Sequence, residues 1–596
     1  MTPFFAPDGF FGAPAFRQRL AFAVVQAVAL YGLLTWNERP QGWFIDNPAV
    51  FDPLFLCAVY LPLMAMLDAG RIAPRAQALW LGGVALALGL IGWHAATRGT
   101  QPAYGLFGRL AYPWAFWPVL SGALFIAEAL ACDSLRTKSW RPPYADHFES
   151  AWRHVAQLMM ALVFAGLFWG VMLLGRGLLN LIHIYFLRDL IDHRWFYIPA
   201  TNLALAVALH VADVEPQINR GARDLTLTLL SWLLPLLALL LAVFLAGLPF
   251  ASLDLLWNTH YAARLLLTAA GLAVFLINCA YQDGGEAWED SRVKRWAAGL
   301  ATVELAVLLA LAAWALALRV NQYGWSVDRI EAAALIAVGA VYSVFYLAGL
   351  FAKPWLKRLE AGNVAAAWLG LALVFVLLTP IADPARLAVA SQWARLQSGA
   401  VTPDKFDFAT LKFDGGRWGA EALAQLAQSQ DAATRAEAER TLAMKIRFAA
   451  ARVAAPLTDE VRLRQIDVFP PGRVLPPDFI AAVTASAAAA QFNSCFNTNA
   501  RPDLKLRCAA QFILLRPNEP EDILFTEGGN LKLFRKDENG HLRVAATLNG
   551  LAFCPEVGAA LRGGAATPTP HDLPDLVVAG HRLTLTPTGD ACAKKP

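Results

Sequence analysis

Two sets of residues in this chain have types and spacings that could do chemistry. The first is a set of thiols. The stretch "CFNTNARPDLKLRC" runs from Cys495 to Cys508, and Cys554 and Cys592 follow it. A zinc site would need closely spaced Cys or Cys/His ligands, yet no CxxC occurs here and His541, His571 and His581 are scattered. Neither a metal clip nor a catalytic redox pair is therefore expected from these thiols, and two disulfides are the economical reading in an oxidising compartment. Three pairings are open; proximity favours Cys495 with Cys508 and Cys554 with Cys592.

The second set lies inside apolar runs. Glu128, His210, Asn278 and Glu304 each interrupt a different hydrophobic stretch. Strongly polar groups are costly in hydrocarbon and need a partner, an aqueous cavity or an escape to the interface. Glu304 would lie about 10 Å deep at 1.5 Å per helical residue, whereas Glu128, His210 and Asn278 stand about one turn from their helix ends. Read together, the four are candidates for one polar cavity, with Glu304 as a proton or cation site. The plainer reading is four unrelated interfacial side chains.

The elements that must position these groups follow from composition. Of 596 residues, 57% are hydrophobic and only 16% charged, and the mean hydropathy is +0.44. That composition belongs to a membrane protein. The net charge of +4 gives no reason to expect nucleic acid as a partner. Charge density changes near Pro384: the 212 residues that follow carry 25 basic and 22 acidic side chains, against 25 and 24 in the first 384.

Before that proline there are eleven apolar runs long enough to cross the bilayer as helices, near 20–36, 51–68, 76–95, 109–131, 155–175, 196–213, 224–247, 261–281, 297–319, 331–352 and 363–381. Basic residues are concentrated in alternate loops: Arg71 and Arg75; Arg136, Lys138, Arg141 and Arg153; Arg220 and Arg223; Arg292, Lys294 and Arg295; Lys353, Lys357 and Arg358. By the positive-inside rule these loops and the N-terminus are cytoplasmic, and an odd number of crossings puts the chain beyond Asp383 on the outer side of the membrane. The expectation is a mainly α chain: a polytopic bundle over 1–384, then a small α+β periplasmic domain over 385–596, helical in 385–490 and β-rich in 505–590. Within the latter, "AAQFILLR", "EDILFTE", "NLKLFRK", "HLRVAATL" and "HRLTLTP" alternate as strands do.

Two loops also carry candidate residues. In "QYGWSVDR", Gly324 permits an unusual turn, Tyr323 and Trp325 suit the interface, and Asp328 and Arg329 can pair or cap the next helix. In "YADHFESAWRH", Asp146, His147, Glu149 and His154 cluster at helical spacing, which a solvated amphipathic linker explains most simply.

The stretches "VNQYGWSVDRIEAAALIAVGAVYSVFYLAGLF", "PWLKRLEAGNVAAAWLGLALVFVLLTPIADPARLAVASQWARLQSG" and "FDFATLKFDGGRWGAEALAQLA" together resemble the Domain of Unknown Function 4153 family of bacterial membrane proteins. The resemblance is clearest over 300–430. It implies a polytopic inner-membrane protein and assigns no activity, catalytic residue or cofactor.

Signatures of familiar enzymes are absent: no GxxxxGK[ST], HExxH, GxSxG or GxGxxG occurs. Two classes of function fit what is left. One is transport or lipid handling, motivated by the many helices and buried polar groups. The other is a non-catalytic envelope scaffold or sensor, with the C-terminal domain docking an envelope protein partner. The bilayer is the partner both require.

Overall fold

The computed structural model describes residues 14–37, 43–99, 115–214, 216–250, 262–284, 291–444, 463, 466–486, 508–515, 520–527, 530–537, 540–548, 576–578 and 581–583. The chain divides into two compact units, Met1–Leu442 and Ala443–Pro596.

The first unit is helical throughout. In chain order its described helices are α1 (Pro14–Asn37), α2 (Trp43–Asp46), α3 (Pro48–Leu67), α4 (Pro74–Thr97), α5 (Phe116–Thr137), α6 (Tyr144–Leu181), α7 (Phe186–Asp192), α8 (Arg194–Val214) and α9 (Pro216–Gly247). They continue as α10 (Ala262–Tyr281), α11 (Arg292–Tyr323), α12 (Val327–Leu350), α13 (Arg358–Leu377), α14 (Pro384–Gln397), α15 (Phe408–Asp414), α16 (Gly416–Leu426) and α17 (Ala432–Ala443). Eleven of these, namely α1, α3–α6 and α8–α13, are long and apolar enough to cross a membrane. They coincide with the eleven runs read from the sequence. Prolines open α3, α4 and α14, where a missing N–H costs nothing.

Which helix faces are buried follows residue size. In the cluster formed by α9 to α12, Ala238, Ala270, Ala273, Ala301 and Ala312 are buried between Leu234, Leu266, Leu305 and Leu308. Small residues let helix backbones approach closely where no hydrophobic effect drives helices together. A close backbone approach joins α3 to α4: a Cβ on Gly92 would stand 2.6 Å from the Pro53 nitrogen. The outward faces stay apolar. On α6, Leu162, Val163, Leu167, Val171, Leu174 and Leu178 are exposed, and on α9 so are Leu229, Leu236, Leu239, Leu240 and Val243. A contiguous apolar surface of this kind suits lipid rather than water.

The second unit has a five-stranded sheet of β1 (Ile466–Phe469), β2 (Cys508–Ile513), β3 (Asp522–Glu527), β4 (Asn530–Lys536) and β5 (Leu542–Leu548), ordered as in the chain. β1 pairs with β2 in parallel and the rest form an antiparallel meander. A helix α18 (Phe479–Ser486) packs Phe479, Ile480 and Val483 onto Phe525 and Phe534, with the three phenyl rings edge to face. Arg535 grips Asp522 through two hydrogen bonds of 2.9 and 2.8 Å. A separate hairpin joins β6 (Leu576–Val578) to β7 (His581–Leu583). The alternating runs that form β2 to β5 thus place apolar residues such as Ala510, Phe525, Phe534 and Leu542 in one core with α18.

If the α3–α4 contact sets the spacing of the bundle, Gly92→Leu should destabilise it by about 1–3 kcal/mol through overpacking, with Gly83→Leu, which meets open space, as the control. Unfolding in detergent, followed by circular dichroism, measures the difference.

Candidate functional site

The described charged side chains are gathered mainly where the basic loops join the helices. Arg19, in the second turn of α1, is fully buried. Its Nε donates to the Met66 carbonyl at 3.0 Å, Nη1 lies 3.0 Å from His210 Nδ1, and Nη2 donates to Asp213 at 2.9 Å. Asp213, at the end of α8, also accepts from Arg71 at 2.7 Å. Buried charges persist in such places only when paired and hydrogen-bonded.

The first turns of α6 add a second layer. His147, Ser150, His154 and Gln157 recur at helical spacing on one face and all are buried. His147 Nδ1 lies 3.0 Å from Asp133, Ser150 donates to Asp133 at 2.7 Å, and Gln157 donates to Asp213 at 3.4 Å. The "YADHFESAWRH" segment is therefore part of a long helix, and its histidines face inward. Its amphipathic pattern reflects a polar interior, not a solvated linker.

Asp68, just beyond α3, stands at the centre. Its Oδ1 lies 3.1 Å from His154 Nε2, 3.3 Å from Arg153 Nη2 and 3.2 Å from Cys132 Sγ. Burial alone would push this carboxyl up, but the hydrogen bond and charge of His154 hold it well below the usual carboxylate range. Above this cluster opens a pocket of about 370 Å³ whose lining includes Arg71, Arg136, Arg153 and Arg223 together with Asp146, Glu149 and Asp213. Arg71 pairs with Asp213, Arg223 with Glu149 and Asp224, and Arg136 reaches Asp133 and Asp146 only at 3.5 Å. A guanidinium carries five N–H donors, so these pairs leave donors for another anion.

The four polar residues read from the apolar runs come to three different places. Glu128 accepts from Trp80 Nε1 at 2.6 Å and faces Asp68. His210 belongs to the adjoining Arg19 group. Asn278 joins a ring of amides and phenols: it donates to Tyr346 at 2.8 Å, Tyr346 donates to Asn363 at 2.7 Å, and Asn363 donates to Tyr144 at 2.9 Å. Glu304 is buried on α11, and neither of its oxygens has a hydrogen-bond partner among the described residues. The groups that assemble with Glu128 and His210 are Arg19, Asp68, Cys132, Asp133, His147, Arg153, His154 and Asp213. The sequence signals available for them were charge at the ends of apolar runs, which reads as topology, and the inward spacing of the α6 histidines.

At the opposite end of the bundle the polar contacts are structural. Asp383 caps α14, its Oδ1 accepting from the Ala385 and Arg386 amides at 2.7 and 3.2 Å, while its Oδ2 accepts from His94 Nε2 at 2.8 Å. Arg98 Nε lies 3.3 Å from the same oxygen. In the Tyr323–Arg329 loop, Gly324 has φ +73°, and a Cβ there would stand 2.5 Å from Arg395 Cδ. Gln392 donates to the Tyr323 and Trp325 carbonyls at 2.9 and 2.8 Å, and Arg329 donates to the Gly324 carbonyl at 2.6 Å. Asp328 pairs with Arg264 at 3.0 Å rather than with its neighbour. Of the four C-terminal cysteines, Cys508 is buried at the start of β2; Cys495, Cys554 and Cys592 lie outside the described residues.

Eleven apolar helices with their ion pairs gathered at helix ends make this a multi-pass membrane protein. It belongs to the family described as Domain of unknown function (DUF4153), which it matches over residues 54–427, from α3 to the end of α16. No curated protein and no solved structure compared with the chain gave a match.

The Asp383 cluster has a definite pH signature. Burial would push its carboxyl up, but His94, the Arg98 charge and the two backbone amides outweigh it and hold the carboxyl low. Its stabilising contribution is therefore complete above the ordinary carboxylate range and is lost as pH falls through the depressed value. Asp383→Asn should be less stable than the parent at neutral pH and converge with it in acid; parallel melting curves at every pH would contradict this.

Proposed function

We propose that this protein handles anionic groups of the cell envelope, lipid headgroups foremost, at the basic end of its helical bundle. The observation that supports this reading is the pocket lined by Arg71, Arg136, Arg153 and Arg223. Guanidinium groups match phosphate geometry through paired N–H donors, and Lys and Arg near the cytoplasmic leaflet attract anionic lipid. Exposure of Arg71 and Arg136, at 34% and 44% of their side chains, leaves both available to an incoming ligand.

A second reading, an envelope scaffold or sensor, is favoured by the second unit's own core, in which Phe479, Phe525 and Phe534 meet. The two readings are compatible if the second unit docks a partner while the bundle holds lipid. In both, the protein sits in the bacterial inner membrane with its N-terminus and basic loops in the cytoplasm. The chain beyond Asp383 is then periplasmic, where Cys495, Cys508, Cys554 and Cys592 would be oxidised.

Two experiments test these readings. Full-length protein in nanodiscs should retain anionic phospholipid over zwitterionic lipid in native mass spectrometry, and Arg71→Ala with Arg223→Ala should remove that preference. Competition by inorganic phosphate would indicate a free anion instead, and indifference to both would overturn the proposal. For topology, a reporter active only in the periplasm should work when fused after Pro596 and fail at Arg292. In the same orientation, Cys495, Cys508, Cys554 and Cys592 should resist alkylation until reductant is added.

A further inference from the structure

Three donors of different chemistry converge beneath the pocket. Asp68 Oδ1, Cys132 Sγ and His154 Nε2 all lie within 4.8 Å of one another, and all three residues are completely buried. Oδ1 is 3.1 Å from Nε2 and 3.2 Å from Sγ. Zinc bonds of about 2.0–2.3 Å in tetrahedral geometry place ligand atoms about 3.3–3.6 Å apart, so these separations need little change to accept an ion.

A positive group already occupies the position that the ion would take. Arg153 Nη2 stands 3.1 Å from Nε2, 3.3 Å from Oδ1 and 3.7 Å from Sγ, over the face that the three donors form. If Nε2 accepts from Arg153, its lone pair faces that of Asp68 Oδ1. If Nε2 carries a proton, both it and Arg153 donate to Asp68 Oδ1, and the guanidinium stands where an ion would sit. Among the described residues, His154 Nδ1 and Arg153 Nε are meanwhile buried without hydrogen-bond partners, while the Asp68 carboxylate also meets Glu128. A cation in the place of the Arg153 N–H would take all three lone pairs and release the guanidinium toward the pocket it already lines.

We propose that Asp68, Cys132 and His154 form a site for a divalent transition-metal ion, Zn²⁺ foremost, whose place Arg153 takes when the ion is absent. The thiolate and imidazole select against Mg²⁺ and Ca²⁺, which prefer oxygen ligands. Three protein ligands leave the fourth position open on the Arg153 side. On binding, the Cys132 thiol gives its proton to solvent and the sulfur joins the ion as thiolate. This site is independent of the headgroup reading, since it needs no lipid.

The test uses full-length protein in detergent, stripped with chelator and titrated with Co²⁺ as a spectroscopic substitute for Zn²⁺. One equivalent should bind with a thiolate-to-cobalt charge-transfer band and visible ligand-field bands, displaced by Zn²⁺. Cys132→Ser should abolish the charge-transfer band, while Cys57→Ser and Cys279→Ser should leave it. Arg153→Gln should tighten binding by about tenfold or more, because it removes the like-charge repulsion of a competing cation. Should His154→Ala or Asp68→Ala fail to fold, Cys132→Ser and Arg153→Gln still decide the matter. No thiolate band in either the parent or Arg153→Gln overturns the proposal, as does a band that survives Cys132→Ser.

Discussion

The bundle depends on one constraint: a charge at the edge of hydrocarbon must find its counter-charge inside the protein. Asp213 satisfies it for Arg19 and Arg71 together, and so draws α1, α8 and the α3–α4 loop to one point. Asp68 does the same for Arg153, and Asp68 and Asp133 also lie within hydrogen-bonding reach of His154 and His147. Removing one partner from such a pair leaves an uncompensated buried charge, which costs about 3–5 kcal/mol. Fully apolar helices have few means of fixing their rotation and register against one another, since lipid competes equally for every leucine. The ion pairs supply that specificity at one end, while small residues such as Gly92 and Ala301 supply close approach along the length.

The opposite end is held by a different device. Asp383 joins the C-terminal end of α4 to the start of α14 through His94 and Arg98. Gln392 and Arg395, on α14, then grip the carbonyls of the loop between α11 and α12. The Arg417 amide donates to the Arg98 carbonyl at 2.8 Å, with Gly416 in a left-handed conformation that avoids that oxygen. Helices beyond the last crossing are thereby stitched onto the first unit. That explains why the compact unit runs to Leu442, well past the compositional break at Pro384. The segment lacks the apolar length to enter the membrane, but its contacts make it part of the bundle.

The proposed anion-binding surface and the proposed metal centre draw on the same end of the bundle, where arginines, histidines and a thiol also form its buried polar contacts. The same Arg153 serves both settings, since it lines the pocket and stands over the Asp68 cluster. Glu304 stands apart. It is buried, lacks a hydrogen-bond partner among the described residues and has no link to Glu128, His210 or Asn278, so chemistry centred on it would require partners other than these three.

By itself the sequence determined the eleven crossings, the β-strands after Cys508 and the family. Each of these follows from local pattern: an apolar run of bilayer length, alternation at period two, or a conspicuous motif such as that around Tyr323–Arg329. It also marked Glu128 and His210 as polar groups needing partners, but their partners were read as topology. Arg19, Arg71 and Arg153 fall in basic flanks, where a charge count says which side of the membrane they prefer and nothing of what they touch. Only the tertiary structure decided that Arg19 meets a residue 194 positions away, that the α6 histidines face inward, and that Asp68, Cys132 and His154 converge. The reason is physical: hydropathy is a property of segments, whereas pairing a buried charge requires rotating and sliding whole helices against one another, which no single segment records.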